Sequence, residues 1–465
     1  MALGAQTVLA LATPFGGNRP KQLGLFGDSQ TNRSFYSSSN AADGVSPPSY
    51  IVLGAQTNSY RSYGWATWVP ALTGQQYEVL YSWARQGNGV IEADGPPPGW
   101  NLEAQITQAL HSPLWAYIDE VVINIGFNDY AYPVSQVIAA LTQQLQRINK
   151  PITLMSVFPR SDATQTVVSG DGSQVWAWYL QYNQALYNLV QASSGKLSWV
   201  ECHGLVNDPA TSPDGWGTNM SIDLIHSDNA SAFLGALAFA RAKVGSWSTG
   251  SLPIWPHNAG AATSGATGLN QGFANACFGT ASGGSGATGT VAGSLTVAAL
   301  AGGSAVGSVA TCDIPGGVGN MQTLVVTSAG ANSGVSVTSA SFHAAGGTFL
   351  TPGDIAWGQG LFQIPGSQAL YPKSCTFRLN GFKSPLTWSM SFCPLEAAEE
   401  VALPITETTN LLIRTPPMLI PPGLAFSSLT LSALFTFAAA GDCTVKFSNW
   451  HCVRFPQGAG FLGLV

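Results

Sequence analysis

Four short runs in the first half of the chain carry residue types that together suit acyl transfer. Gly27-Asp28-Ser29-Gln30-Thr31 places a serine directly after a short apolar run. A serine hydroxyl is a poor nucleophile until a base takes its proton. His226, in Asp223-Leu224-Ile225-His226, is a candidate base, because a neutral imidazole exists near neutral pH. Asp223, three residues before it, can orient the imidazole and stabilise the imidazolium that forms. The tetrahedral intermediate needs hydrogen-bond donors aimed at its oxygen. Candidate donors are the backbone N–H of Ser29, that of Gly87 in Ala84-Arg85-Gln86-Gly87-Asn88-Gly89, and the side-chain amide of Asn128 in Gly126-Phe127-Asn128-Asp129. Alone, the serine and asparagine runs read as turns, Gly87 as a C-cap or loop glycine, and Asp-x-x-His as a pattern that chance can supply. What sets them apart is their joint order, each following an apolar run or preceding a helical segment.

The elements that must position these groups show in the texture of residues 22–245. Leu23 to Phe26, Tyr77 to Tyr81, Glu120 to Ile125, Ile152 to Phe158 and Leu197 to Cys202 are short apolar runs. Such runs suit strands buried on both faces of a parallel sheet. Between them, Leu102 to Leu110, Val134 to Ile148, Val175 to Val190 and Ala230 to Val244 have helical length and spacing. Alternation of this kind predicts an α/β/α layer fold. The four runs then fall at the carboxyl ends of parallel strands or in the loops above them, where open α/β sheets bind ligands.

With these blocks in this order, residues 22–245 resemble the SGNH hydrolases, also called the GDSL esterase/lipase family. The resemblance implies a flavodoxin-like α/β/α sandwich. It also implies Ser29 as nucleophile, His226 as base, Asp223 as its partner, and Ser29, Gly87 and Asn128 as the oxyanion hole. No metal or organic cofactor is implied. The glycine block departs from the family pattern: Ser82 stands where an asparagine is usual, and Gly89 competes with Gly87 for the oxyanion role. After His226 come Ser227, Asp228 and Ser231, so the start of the following helix is expected to be shifted.

The second half has a different texture. Residues 246–345 are dominated by Gly, Ala, Ser and Thr, and residues 355–465 show period-2 and apolar runs separated by Pro- and Gly-bearing turns. The expected plan is an arm (1–21), a hydrolase domain (22–246), a linker (247–275), and an all-β sandwich or jelly roll (276–465) for carbohydrate binding or assembly. Seven cysteines, an odd number without a C-x-x-C pair, argue against zinc or thioredoxin-type chemistry. Cys443 and Cys452 could pair across a hairpin, and buried free thiols are the alternative.

Composition narrows the partners. Only 9% of residues are charged and the net charge is −6 with no basic block, which disfavours nucleic acid. No apolar run of about 20 residues marks a membrane span. Low charge and a first segment without a basic n-region suggest an extracellular or virion-surface protein, such as a tail fibre, exported outside the general signal-peptide pathway. Trp100 and Trp216, in loops near the blocks, are candidates for stacking on sugar rings, with half-buried packing as the alternative. The expected function is a carbohydrate O-acetylesterase acting on surface polysaccharide, alone, as a homo-oligomer or as part of a virion. The alternatives are a lipolytic or general carboxylesterase, and a structural or receptor-binding virion protein with a relic hydrolase domain.

Overall fold

Leu23, Leu25 and Phe26 are all fully buried, so the strand that carries them is covered on both faces. Its side chains alternate: Leu23 and Leu25 join one apolar cluster and Phe26 the other, as period-2 geometry requires. In this computed structural model the described residues are 20–37, 57–93, 99–160, 175–208, 215–221, 223–245, 278, 284–317, 319–341, 350–351, 354–383, 386–392, 401–415, 418–419 and 428–455. Residues 1–19 of the expected arm and the whole expected linker lie outside them.

The first half contains β1 (Lys21–Gly27), α1 (Ser29–Asn32), β2 (Phe35–Ser37), β3 (Thr57–Tyr60), α2 (Trp65–Leu72), β4 (Tyr77–Ser82), α3 (Leu102–His111), β5 (Glu120–Asn124), α4 (Val134–Leu145), β6 (Ile152–Met155), α5 (Val175–Ala192), β7 (Leu197–Val200), α6 (His203–Val206) and α7 (Asn229–Val244). Five of these strands form one parallel sheet in the order β4-β1-β5-β6-β7. Counted among themselves they run 2-1-3-4-5, a doubly wound order whose direction reverses at β1. The serine, glycine and asparagine runs follow β1, β4 and β5, three adjacent strands. One face of the sheet is covered by α3, α4 and α5, the other by α2 and α7. The helices α2 and α7 interlock through Trp65 with Phe239 and Trp68 with Phe233.

The second half adds β8 (Thr288–Gly289), β9 (Leu295–Leu300), β10 (Ser304–Thr311), β11 (Asn320–Ala329), β12 (Gly334–Ser339), β13 (Ile355–Ile364), β14 (Pro372–Lys383), β15 (Leu386–Phe392), β16 (Thr409–Arg414), β17 (Met418–Leu419), β18 (Ser428–Phe437) and β19 (Ala440–Phe455). They build two seven-stranded sheets: β16-β13-β19-β11-β10-β8 with β17 on β13, and β2-β3-β15-β14-β18-β12-β9. The pairings are antiparallel except β8 with β10 and β3 with β15. Phe362 of the first sheet meets Phe377 and Phe435 of the second, and Trp450 packs on Phe377, so the two sheets share a core.

Two strands cross the expected boundary. β2 and β3 belong to the first half in sequence, yet they extend the second β sheet through β15. The apolar cluster around α2 and α7 likewise continues into β13, β14, β18 and β19. Polar ties reinforce the contact. Gln75 Nε2 donates to Leu412 O (2.9 Å), Asn229 Nδ2 donates to Lys373 O and Val401 O, and Val401 N donates to Asn229 Oδ1 (2.7 Å). Arg414 pairs with the buried Glu78 at 2.9 Å.

One cysteine expectation is corrected. Cys443 and Cys452 do not face each other across a hairpin, because both lie on the single strand β19, nine residues apart. At strand rise that is about 30 Å, far beyond the reach of a disulfide. Both thiols are free and buried, as are Cys202 and Cys375. No described helix is long and apolar enough to cross a membrane.

Removing one member of a buried ion pair leaves the other charged and desolvated. The variant Arg414→Met should therefore lose roughly 3 kcal/mol of stability in urea denaturation. Adding Glu78→Gln should restore part of that loss.

Candidate active site

The nucleophile candidate sits in a short helix whose polar residues are all buried. Asp28 caps α1, accepting from Gln30 N at 3.0 Å through Oδ1. Its Oδ2 accepts from Phe127 N at 3.3 Å, which ties the asparagine run to the serine run. Thr31 Oγ1 meets Asn124 Oδ1 at 3.4 Å and accepts from Trp65 Nε1 at 3.2 Å. Asn32 Nδ2 donates to Ala84 O (3.0 Å), at the start of the glycine run. Gln105 closes the end of β1, donating to Gly27 O and accepting from Gly27 N, both at 3.0 Å. Position 27 must be glycine: a Cβ there would lie 2.6 Å from Thr31 Oγ1 and 2.7 Å from Asn124 O.

The structure brings Ser29, His226 and Asp223 together across 197 residues of sequence. His226 Nε2 is 3.0 Å from Ser29 Oγ, and His226 Nδ1 is 2.7 Å from Asp223 Oδ2. A carboxylate only accepts, so Nδ1 carries the hydrogen and Nε2 accepts from the serine hydroxyl. Asp223 Oδ1 also accepts from His226 N (2.6 Å) and Ile225 N (2.9 Å), making 223–226 a turn closed around its own carboxylate. The turn forces Leu224 to φ 66°, a left-handed conformation unusual for a bulky residue. The next helix begins at Asn229, capped by Asp228, which accepts from Ser231 N.

Burial holds the His226 imidazole below its ordinary value of 6.5. The hydrogen bond to Asp223 works against that shift, and Arg33 and Arg160 add to it. For Asp223, burial alone would raise the carboxyl, but its bonds to the His226 side chain and backbone outweigh that and leave it below the ordinary value. The pair is thus set up as neutral imidazole against ionised carboxylate.

The two glycines of the second run separate clearly. Gly89 N donates to Glu92 O (2.9 Å), and a Cβ at Gly89 would lie 2.3 Å from Asp129 Oδ2, so Gly89 is built into the loop. Gly87 is exposed, at φ 71°, on the outer turn of the same loop. Asp129 is buried and gathers three amides: Val90 N at 2.6 Å, Ile91 N at 2.8 Å and Glu92 N at 2.9 Å. Asn128 Nδ2 donates to Asn88 O at 2.8 Å, which fixes the side chain and leaves its second N–H for another acceptor. Burial pushes Asp28 up to about 7, against its backbone hydrogen bonds and with Asp129 adding to the rise. Tyr179 and Tyr182 donate to Phe127 O (2.8 Å) and Ile125 O (3.1 Å), holding the asparagine run from below.

The two tryptophans differ. Trp100 is partly exposed beside the glycine run, with the Arg85 guanidinium 5.2 Å from its ring centre. Trp216 is corrected from a sugar platform to a packing residue. It is 6% exposed, stacks on Phe158 at 5.7 Å, and its indole N–H donates to Leu224 O at 3.1 Å. It braces the base's turn instead of presenting a face to solvent. Gln30, Gln105 and Asp129 were not marked by the sequence as positioning groups, because their partners are backbone atoms distant along the chain.

No protein-family model and no curated protein matches this chain. The solved structures it resembles include esterases and GDSL-like lipases. Est24, a carbohydrate acetylesterase from Sinorhizobium meliloti, is 14% identical, with a TM-score of 0.33 over 47% of this chain and 96% of that one. An aryl esterase of M. smegmatis is 15% identical, with a TM-score of 0.32 over 48% and 97%. A GDSL-like lipase from Bacteroides thetaiotaomicron is 11% identical, with a TM-score of 0.31 over 52% and 96%. At these values the likenesses carry no argument about chemistry, which rests on the geometry above.

Two outcomes follow from the site's electrostatics and bracing. In an NMR titration, His226 should titrate below 6.5; Asp223→Ala should lower its pKa further, and Arg33→Met should raise it. Asp129→Asn replaces one acceptor oxygen with a donor facing a backbone N–H. It should cost about 1–3 kcal/mol in urea denaturation.

Proposed function

We propose that the chain is a serine ester hydrolase acting on O-acetylated surface polysaccharide. The observation that carries the hydrolytic reading is the Ser29 Oγ–His226 Nε2 contact of 3.0 Å, continued to Asp223 at 2.7 Å. Ser29 Oγ attacks the ester carbonyl carbon while its proton passes to His226 Nε2. Asp223 stabilises the imidazolium. The backbone N–H of Ser29, the backbone N–H of Gly87 and Asn128 Nδ2 receive the developing oxyanion. The imidazolium then gives its proton to the leaving alkoxide, and an acyl-Ser29 remains. Water gives a proton to His226 as it attacks that acyl group, the acyl–Oγ bond breaks with return of the proton from the imidazolium to Ser29 Oγ, and the released acid ionises to the carboxylate.

The carbohydrate part of the reading is supported by Trp100, whose partly exposed indole beside the glycine run offers a flat face for a sugar ring. The low charge of the chain and the all-β half packed against the hydrolytic half support a place outside the cell or on a virion surface. There the β half would hold the enzyme on a glycan or in an assembly, as a homo-oligomer or a virion part. One observation favours a second reading, a lipolytic or general carboxylesterase: Leu224, inside the base's turn, is 47% exposed and could meet an acyl chain.

Acetate release from O-acetylated bacterial polysaccharide tests the proposal. Release is expected, and Ser29→Ala should reduce it by about 10⁴-fold or more. Equal release by both proteins would refute the nucleophile. With p-nitrophenyl esters, acetate should be turned over faster than long acyl chains, and the reverse order would select the lipolytic reading.

A further inference from the structure

Gln30 follows Ser29 directly and is 1% exposed. Its side-chain amide makes two hydrogen bonds, both to the run that carries the base. Nε2 donates to Ile225 O at 2.7 Å, and Oε1 accepts from Ser227 N at 3.2 Å. The two partners are the residues on either side of His226. Their polarity fixes the orientation of the amide, since a carbonyl must meet the NH₂ and an N–H must meet the oxygen.

The base's turn is internally closed: Asp223 binds the His226 ring and the backbone of 225 and 226, and Ser221 Oγ donates to His226 O. Other ties anchor the turn away from α1, through Trp216 to Leu224 O and through Ser227 Oγ to Tyr63 O. What these bonds leave open is where the closed unit stands relative to the serine. The Gln30 amide runs directly from the nucleophile's helix to that unit. We infer that Gln30 is a positioning residue that sets the distance between Ser29 Oγ and His226 Nε2. The inference rests on the hydrolytic reading proposed above.

A near-isosteric Gln30→Met removes both bonds while leaving the Asp223–His226 pair intact. A displacement of 1 Å in reacting groups costs about 10²-fold in rate. The experiment compares wild type, Ser29→Ala, Gln30→Met and Gln30→Glu on p-nitrophenyl acetate, with kcat, KM, the pH profile of kcat/KM and thermal unfolding for each. Gln30→Met should lose about 10²-fold in kcat, with KM within about twofold of wild type. Its acid limb should stay in place, because the imidazole keeps its own partner. Gln30→Glu keeps the acceptor for Ser227 N and should fall between. A folded Gln30→Met with kcat within about threefold of wild type overturns the inference. So does a kcat loss accompanied by a shifted acid limb, which would mean the turn itself had come apart. If Gln30→Met does not fold, Gln30→Glu decides on the pH plateau above the acid limb, which its added carboxylate should itself raise: reduced kcat there with KM unchanged supports the role, and unchanged kcat overturns it. Activity in Ser29→Ala would instead defeat the hydrolytic reading, whatever the Gln30 variants do.

Discussion

Five consecutive polar residues, Asp28 to Asn32, are buried, and a buried polar group must find a hydrogen-bond partner or cost about 1–3 kcal/mol. That requirement organises the site. Asp28 reaches the asparagine run, Ser29 and Gln30 reach the base's run, Thr31 reaches the end of β5, and Asn32 reaches the glycine run. One turn of helix meets most of its own polarity by drawing in every other block, Asn32 Oδ1 alone among these side-chain atoms being buried without a partner. Within that set, Ser29 Oγ is the group that meets the imidazole.

The sheet makes this possible. β1 lies between β4 and β5, so the three loops that follow these strands emerge side by side at the point where the winding reverses. The fourth run arrives ahead of α7, which is held by α2 on one side and by the β half beyond it. The second half is therefore part of the support of the site. Its strands continue the apolar cluster that fixes α2 and α7, and Asn229, at the start of α7, bonds Lys373 O and Val401 O.

Much of the fold was legible in the sequence because its signals are local. All five strands of the parallel sheet, and four of the helices that flank it, were marked by apolar runs and helical spacing to within three residues of their ends. The helix α2 was not, because Trp65 to Leu72 is buried on every side and holds Pro70, so it shows neither an amphipathic stripe nor helix-forming composition. The strands β2 and β3 were missed because they join a sheet only through β15, the partner of β3, which lies more than 300 residues away. In the site, residue type marked Ser29, His226 and Asp223, which the structure brings together, and Asn128, whose amide is tied to Asn88 O. Telling Gly87 from Gly89 needed the fold, since only the fold shows Gly89 N bonded to Glu92 O against the Asp129 carboxylate while Gly87 is exposed. Trp216 misled for the same reason: an indole in a loop looks alike in sequence whether it faces sugar or Phe158.

The central claim is that this convergence makes Ser29 a nucleophile. The most direct measurement is peptide mass spectrometry after treating the full chain with diisopropyl fluorophosphate, which traps activated serines. One phosphoryl adduct is expected, on Ser29, and none when His226 is replaced by alanine. An unmodified Ser29 in the folded wild-type chain, or an adduct that persists without His226, would contradict it.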